Sequence, residues 1–295
     1  MIEESCMTDE PPPPLERSPR RLSRDAFLTI LSLTDAQPWL KDHQGELVAL
    51  IDECATEDEQ VLVCELLERF KYLDGAEFTR SVQEIALHIE NHLALSPPNT
   101  LIAARENSKY SDSSQFVVYQ LKCSNWQNEN WLTTSFINKL SDVGQMAPAN
   151  VVLVDEFVGT GKTMEKSVSW LRSKQSEWAV AFNIHVAVVA GMEAGLERVT
   201  AVADSVFAIH TLRKGITDFY ESEIASEKIG RMLDIEKGLA DEGKRGKLSE
   251  HSLGYKKTEA LYSRVGGNTP NNVFPIFWWE KRANGQARSS LLRCM

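Results

Sequence analysis

Residues 151–164 read VVLVDEFVGTGKTM: four apolar residues, two adjacent acids, then a turn of small residues closed by Lys-Thr. The apolar run predicts a buried strand, and the turn predicts the start of a helix. The same alternation surrounds it. TLIAA (100–104) predicts a first strand, followed by helices at 115–122 and 132–140. VVLVD (151–155) leads into a helix at 164–172, IHVAVVAG (184–191) into a helix at 192–199, and SVFAIH (205–210) ends the series. Strands and helices alternating in this way make a parallel sheet with helices on both faces, an α/β fold. Ligands of such sheets sit beyond the carboxyl ends of the strands, where the acids and the turn fall.

The flanks read differently. Residues 1–20, with MIEESCMTDEPPPP, predict a disordered tail, and ERSPRRLSR (16–24) beside them reads as a solvated arm. Residues 21–98 predict a helical N-terminal extension, with apolar residues such as Val61, Cys64 and Leu67 at helical spacing, ended by SPPN (96–99). Residues 99–295 then form the α/β domain with its own C-terminal block, NTPNNVFPIFWW, in which Trp278–Trp279 end an apolar strand and fill the core in preference to stacking on a base, while Asn271 and Asn272 suit a nucleobase edge or a turn equally. Residues 220–250 are charged and mostly helical.

A net charge of −10 excludes a surface that grips nucleic acid throughout. The longest apolar runs fall far short of the roughly 20 residues that cross a bilayer. MIEESCMTDEPPPP has neither a basic n-region nor an apolar h-region, so no secretion leader is expected, and five cysteines scattered without metal spacing predict reduced thiols in a cytoplasmic protein. His185 and His210 fall on predicted strands as structural residues, and His88 with His92 have i, i+4 spacing but no third ligand.

The turn GTGKT ends like a P-loop, but that motif needs glycine where Glu156 stands, and a carboxylate there would repel the phosphates. A strand-turn-helix with acids near a helix start is also a common N-terminal cap. The complete order of strand, acid, acid and Gly-Thr-Gly-Lys-Thr instead resembles the phosphoribosyl-pyrophosphate (PRPP) signature of type I phosphoribosyltransferases, and is similar to the corresponding stretch of the 6-oxopurine enzymes. The resemblance implies a parallel sheet of that kind. It implies that Asp155 and Glu156 clamp the ribose hydroxyls, and that Gly159, Thr160, Gly161, Lys162 and Thr163 hold the 5′-phosphate at the helix start. It also implies Mg²⁺, placed near Asp112, Asp155 and Glu156, and a pyrophosphate loop after the first strand. That loop would use Arg105, Lys109, Ser111, Ser113 and Ser114 from the stretch ending KYSDSS. The other reading of KYSDSS is a cap, with Ser111 or Asp112 accepting backbone N–H bonds of the following helix.

The helical extension, the KYSDSS loop, the VDEFVGTGKT core and the LGY…GGNTPNNVFPIFWW block together resemble phosphoribosyltransferase-like effectors of prokaryotic conflict systems, including retron-associated ones. That resemblance implies an anti-phage effector acting on PRPP or a ribose-phosphate nucleotide at the anomeric carbon. Its expected partner is a reverse transcriptase with its RNA–DNA product, and a homo-oligomer is admitted. The chain departs from the 6-oxopurine enzymes at Gly159, where they carry an aspartate that takes a proton, and this counts against base salvage. A non-catalytic nucleotide-sensing module fits the departure equally well.

Overall fold

The computed structural model describes residues 24–105 and 113–294. The tail at 1–20 and the site residues Lys109, Ser111 and Asp112 lie outside them.

Three helices come first: α1 (Arg24–Ala36), α2 (Gln44–Glu53) and α3 (Glu57–Glu68). Helix α3 starts at a capping box, in which Glu59 N–H donates to Thr56 Oγ1 (3.2 Å) and Thr56 N–H donates back to Glu59 Oε2 (3.3 Å). Strand β1 (Lys71–Leu73) and helix α4 (Gly75–Leu87) follow, with Asp74 Oδ1 accepting from Glu77 N–H at 2.7 Å to cap α4.

The central part runs β2 (Thr100–Ala104), α5 (Ser113–Lys122), β3 (Ser135–Ile137), α6 (Val143–Met146), β4 (Asn150–Val158), α7 (Lys162–Trp178), β5 (Asn183–Met192), α8 (Glu193–Thr200) and β6 (Ser205–Leu212). The strands form one parallel sheet in the order β3-β2-β4-β5-β6. Successive residues of a strand face opposite sides, and both sides are covered here. Ile102, Val152, Val154 and Val189 meet α4 and α5, whereas Leu101, Leu153, Val186 and Val188 meet α7 and α8. That double burial is why the strands read as continuous apolar runs. The expected helix at 132–140 is absent. A 3-10 turn (Glu129–Thr133) and the edge strand β3 occupy it, because pairing with the open side of β2 outweighs local helical spacing.

The chain ends with α9 (Ser222–Glu236), a small hairpin of β7 (Glu242–Gly243) and β8 (Gly246–Lys247), α10 (Leu248–His251) and β9 (Tyr262–Arg264). Only the first half of 220–250 is therefore a long helix. PIFWW is not a strand: Pro275 opens a 3-10 turn (Pro275–Phe277), having no N–H to give a ladder. Trp278 and Trp279 are nevertheless buried, packed in one core with Leu47 and Leu50 of α2, Leu62 and Leu66 of α3, and Ile235 of α9. Strand β1 pairs in parallel with β9, and Glu53 accepts from Arg282 (3.0 Å) and Arg288 (2.6 Å). The N-terminal helices and the C-terminal block thus share a core, which meets the sheet at Phe157, Met192 and Leu212 near the carboxyl ends of its strands.

No helix among the described residues is long and apolar enough to cross a membrane. His185 shares a hydrogen bond with Ser205 (2.8 Å) and His210 with Ser81 (3.2 Å), and no group of metal-ligating side chains forms among the described residues. Burial pushes the thiols of Cys54 and Cys64 up to about 12 and about 11, so neither offers a thiolate at neutral pH. We expect iodoacetamide to label exposed Cys123 in the native protein and to reach Cys54 and Cys64 only in denaturant, as read by peptide mapping.

Candidate ligand-binding site at the strand ends

Strand β2 stops pairing with β4 at Val154, while β4 continues to Val158 alongside β5. The gap beside the last residues of β4 opens a cavity of about 920 Å³, lined from within by Asp155 and Glu156. Both acids are almost fully buried, at 2% and 3% exposure.

Charges that deep need partners. Arg105, the first residue after β2, places Nε 2.5 Å from Asp155 Oδ2. Asp155 Oδ1 accepts from Ser113 Oγ (3.1 Å) and from the N–H of Glu156 (2.8 Å). Ser167 of α7 donates to the Arg105 carbonyl at 2.8 Å, which fixes the arginine's backbone against the helix behind the turn. Glu156 meets Arg264 at the end of β9, Nε to Oε2 at 2.8 Å, as a close ion contact rather than an aligned hydrogen bond. The Arg264 guanidinium lies over the rings of Phe78 (4.5 Å) and Phe116 (4.8 Å), which hold its plane. Burial pushes the Glu156 carboxyl above its ordinary value, with Arg264 opposing the shift and Asp155 adding to it. The buried hydroxyl of Tyr262, stacked on Phe157, is held well above the usual tyrosine range by burial and then by Glu156.

The turn beyond the acids completes one wall. Gly161 adopts φ +75° as the residue before α7. A side chain there would be strained, and its Cβ would run into the backbone of Gly195 in α8. Thr160 and Thr163 line the cavity beside it.

The opposite wall comes from the C-terminal block: Tyr255, Asn268, Pro270, Asn271 and Asn272. Asn272 is the keystone. Its Nδ2 donates to Thr258 Oγ1 (3.1 Å), and its carbonyl accepts from Thr258 Oγ1 (3.0 Å) and Ala260 N–H (3.1 Å). Its amide group covers Gly159 so closely that a Cβ built there would lie 2.5 Å from Nδ2 and nearer still to Oδ1. The glycine at 159 is therefore required by the asparagine at 272. The loop leading to it is strained. Leu253, Lys256, Lys257 and Glu259 all have φ between 51° and 60°, a conformation costing L-residues roughly 1–2 kcal/mol each.

Of the residues expected at the site, the cavity gathers Arg105, Ser113, Asp155, Glu156, Gly159, Thr160, Gly161 and Thr163. Ser114 is buried within α5 and does not line it, and Lys162 faces a second cavity on the other side of the turn. Arg264, which also lines the cavity, could not be read from the sequence, since no spacing rule joins it to β4, and of the two uses open to Asn271 and Asn272 the fold brings Asn272 over Gly159.

Sheet order, acid pair and turn belong together in one class: this is a type I phosphoribosyltransferase-like protein. Within that class the chain belongs to the PRTase-CE family, whose model matches residues 51–287 and so takes in both cavity walls. No curated protein matches the chain. Among solved structures it is similar to a hypothetical protein from Neisseria gonorrhoeae with bound ppGpp, at 16% identity and TM-score 0.33 over 49% of this chain and 85% of that one. It is also similar to an orotate phosphoribosyltransferase from Aeropyrum pernix (15%, 0.31, 52% and 77%) and to an APRTase from Giardia lamblia complexed with 9-deazaadenine (14%, 0.29, 44% and 79%).

Proposed function

We propose that the first cavity binds PRPP or a ribose-phosphate nucleotide and that the protein acts at the anomeric carbon. The observation that carries this reading is the convergence of the acid pair with Gly159, Thr160, Gly161 and Thr163 of the turn on one cavity large enough for such a ligand. The turn and the α7 N-terminus receive the 5′-phosphate. Arg264 engages one oxygen of Glu156, which leaves that carboxylate acceptor capacity for a ribose hydroxyl, whereas Asp155 is held at both oxygens by Arg105, Ser113 and the Glu156 N–H and contributes chiefly its fixed charge. When the bond from C1 to the pyrophosphate oxygen breaks, the pair leaves with that oxygen and positive charge grows on the ring. Two fixed carboxylates nearby stabilise that charge electrostatically. A base, a nucleotide or water then bonds to C1 through a lone pair and releases its proton to solvent.

Mg²⁺ fits this site as a passenger of the ligand. Asp155 and Glu156 are both engaged by arginines, so the ion would be held mainly by the ligand's phosphates and water, as Mg²⁺ commonly is. It would neutralise the departing pyrophosphate, and Arg105 adds positive charge on the same side.

Calorimetry with PRPP and Mg²⁺ tests the assignment. Wild type is expected to bind, and Asp155→Asn/Glu156→Gln to bind at least about tenfold more weakly; equal or absent binding in both removes it. Hydroxyl binding needs ionised Glu156, whose carboxyl sits above its ordinary value. Affinity is therefore expected to fall on acidification before the pH at which an unperturbed glutamate titrates.

A second reading, a non-catalytic nucleotide sensor, is favoured by one observation: the place of a base at residue 159 is covered by the amide of Asn272, which takes no proton at neutral pH. Metabolite profiling separates the two, since nucleotide pools that change only when Asp155 is intact require catalysis. We place either activity in an anti-phage effector, a proposal resting on the resemblance of the C-terminal block. A reverse transcriptase encoded alongside, copurifying with its RNA–DNA product, would support the retron association, and failure of the chain in its native gene neighbourhood to protect cells from phage would remove the proposal.

A further inference from the structure

The turn Gly159–Thr160 has a cavity on each side. The second, of about 510 Å³, lies among the start of α7, helix α8, the end of β6 and the strained loop 253–259. Its rim carries Lys162, Arg198, Lys214, Lys256 and Lys257, and its floor includes apolar Met192 and Leu212. Five cations therefore face three acids, Glu193, Glu197 and Asp218, the last of which accepts from the backbone N–H of Lys214 (2.8 Å), and Arg198 also meets Glu165 at 3.4 Å. A local positive excess of this kind stands out on a chain of net charge −10.

The two neighbouring lysines are the decisive feature. Both Lys256 (φ 60°) and Lys257 (φ 56°) adopt the left-handed conformation that glycine or asparagine would take at lower cost. Both residues are exposed, and Lys256 Nζ lies 5.6 Å from the centre of the Tyr255 ring, so burial does not reward lysine there. The conformation is imposed from outside by two buried acids. Glu236 accepts from Leu253 N–H (3.0 Å) and Ser252 Oγ (2.5 Å), and Glu259 accepts from Ile216 N–H (2.9 Å) and Thr217 N–H (2.8 Å). Tyr255 N–H is tied to the Asn271 carbonyl at 2.8 Å. Strain that the surroundings over-determine, spent on presenting adjacent charges at a cavity, is the mark of a built ligand contact.

We propose that this second cavity is a nucleotide site, distinct from the first, taking a nucleoside polyphosphate. Its phosphates meet Lys256, Lys257, Lys214 and Arg198, and its base lies on Met192 and Leu212. Cations that converge in this way suit adjacent phosphates, and an apolar floor suits a flat ring. The inference does not depend on what fills the first cavity.

Equilibrium titration of the full chain with ATP, GTP and inorganic tripolyphosphate tests it. Lys256→Asn/Lys257→Asn removes the charges while suiting the left-handed backbone, so its thermal midpoint is expected to stay level or rise. Wild type should bind ATP or GTP saturably and more tightly than tripolyphosphate, and the double asparagine variant about tenfold or more weakly. Lys214→Gln/Arg198→Gln should weaken the same ligand, giving an independent readout on a different element. Asp155→Asn/Glu156→Gln should leave this binding within about twofold, whatever it does to PRPP. The proposal is overturned if wild type shows no saturable nucleotide binding or if tripolyphosphate binds as well as the nucleotides. It is equally overturned if both cation variants bind as wild type does, or if only the acid-pair variant loses binding.

Discussion

Arg264→Ala is expected to lower the stability of the protein by about 3–5 kcal/mol, the cost of leaving one member of a buried ion pair without its partner. Glu156 is 3% exposed, so little of its charge can be hydrated in place of the guanidinium. The loss of the cation over Phe78 and Phe116 adds to the effect. The pH dependence identifies the cause. Burial already raises the Glu156 carboxyl in the presence of Arg264, and removing the arginine raises it further. A carboxyl whose folded value lies above its unfolded one contributes stability that is complete below the unfolded value and is lost as the pH climbs through the folded value. The variant should therefore be closer to wild type near pH 5 than near pH 8 in urea denaturation. Adding Glu156→Gln removes the stranded charge, so Arg264→Ala/Glu156→Gln should recover part of the loss. A double variant as unstable as the sum of the two single changes would show that the pair does not interact.

Gly159→Ala carries the second large effect, about 1–3 kcal/mol of overpacking. Residue 159 has an unremarkable backbone, so alanine costs nothing there through conformation. The whole penalty arises from the Asn272 amide, which occupies the space of the new methyl group. Asn272→Gly, although it forfeits the bond to Thr258, should therefore make Gly159→Ala harmless in its background. Thermal melts of the two single variants and the double one measure the coupling, and simple additivity would refute the contact. With Asn272→Gly in place, Gly159→Asp becomes possible as well. Gain of purine transfer by that double variant would show that a proton acceptor is what the wild-type site lacks.

Most of the sheet was legible because its strands are buried on both faces. TLIAA is β2 residue for residue, and IHVAVVAG and SVFAIH fall inside β5 and β6. The acid pair and the turn could be found because local chemistry dictates their spacing. What could not be read was set by distant partners. Residues 135–137 became an edge strand because β2 offered a free side, and FWW became a proline-led turn in a core shared with α2 and α3. Arg264 and Asn272 are site residues only because β9 lies beside β1 and the following loop folds back over Gly159. Nothing near them in sequence speaks of carboxylates or of a glycine that must stay bare.

The pairing of β1 with β9 also sets an order of assembly during synthesis. The acids and their turn leave the ribosome well before the guanidinium and the amide that finish the pocket. A nascent chain holding a nearly complete sheet therefore still displays two carboxylates, one of them without its counter-charge, and a gap where the far wall will stand. Whatever the cavity takes, its far wall cannot close until the late segment has threaded back alongside three residues made long before.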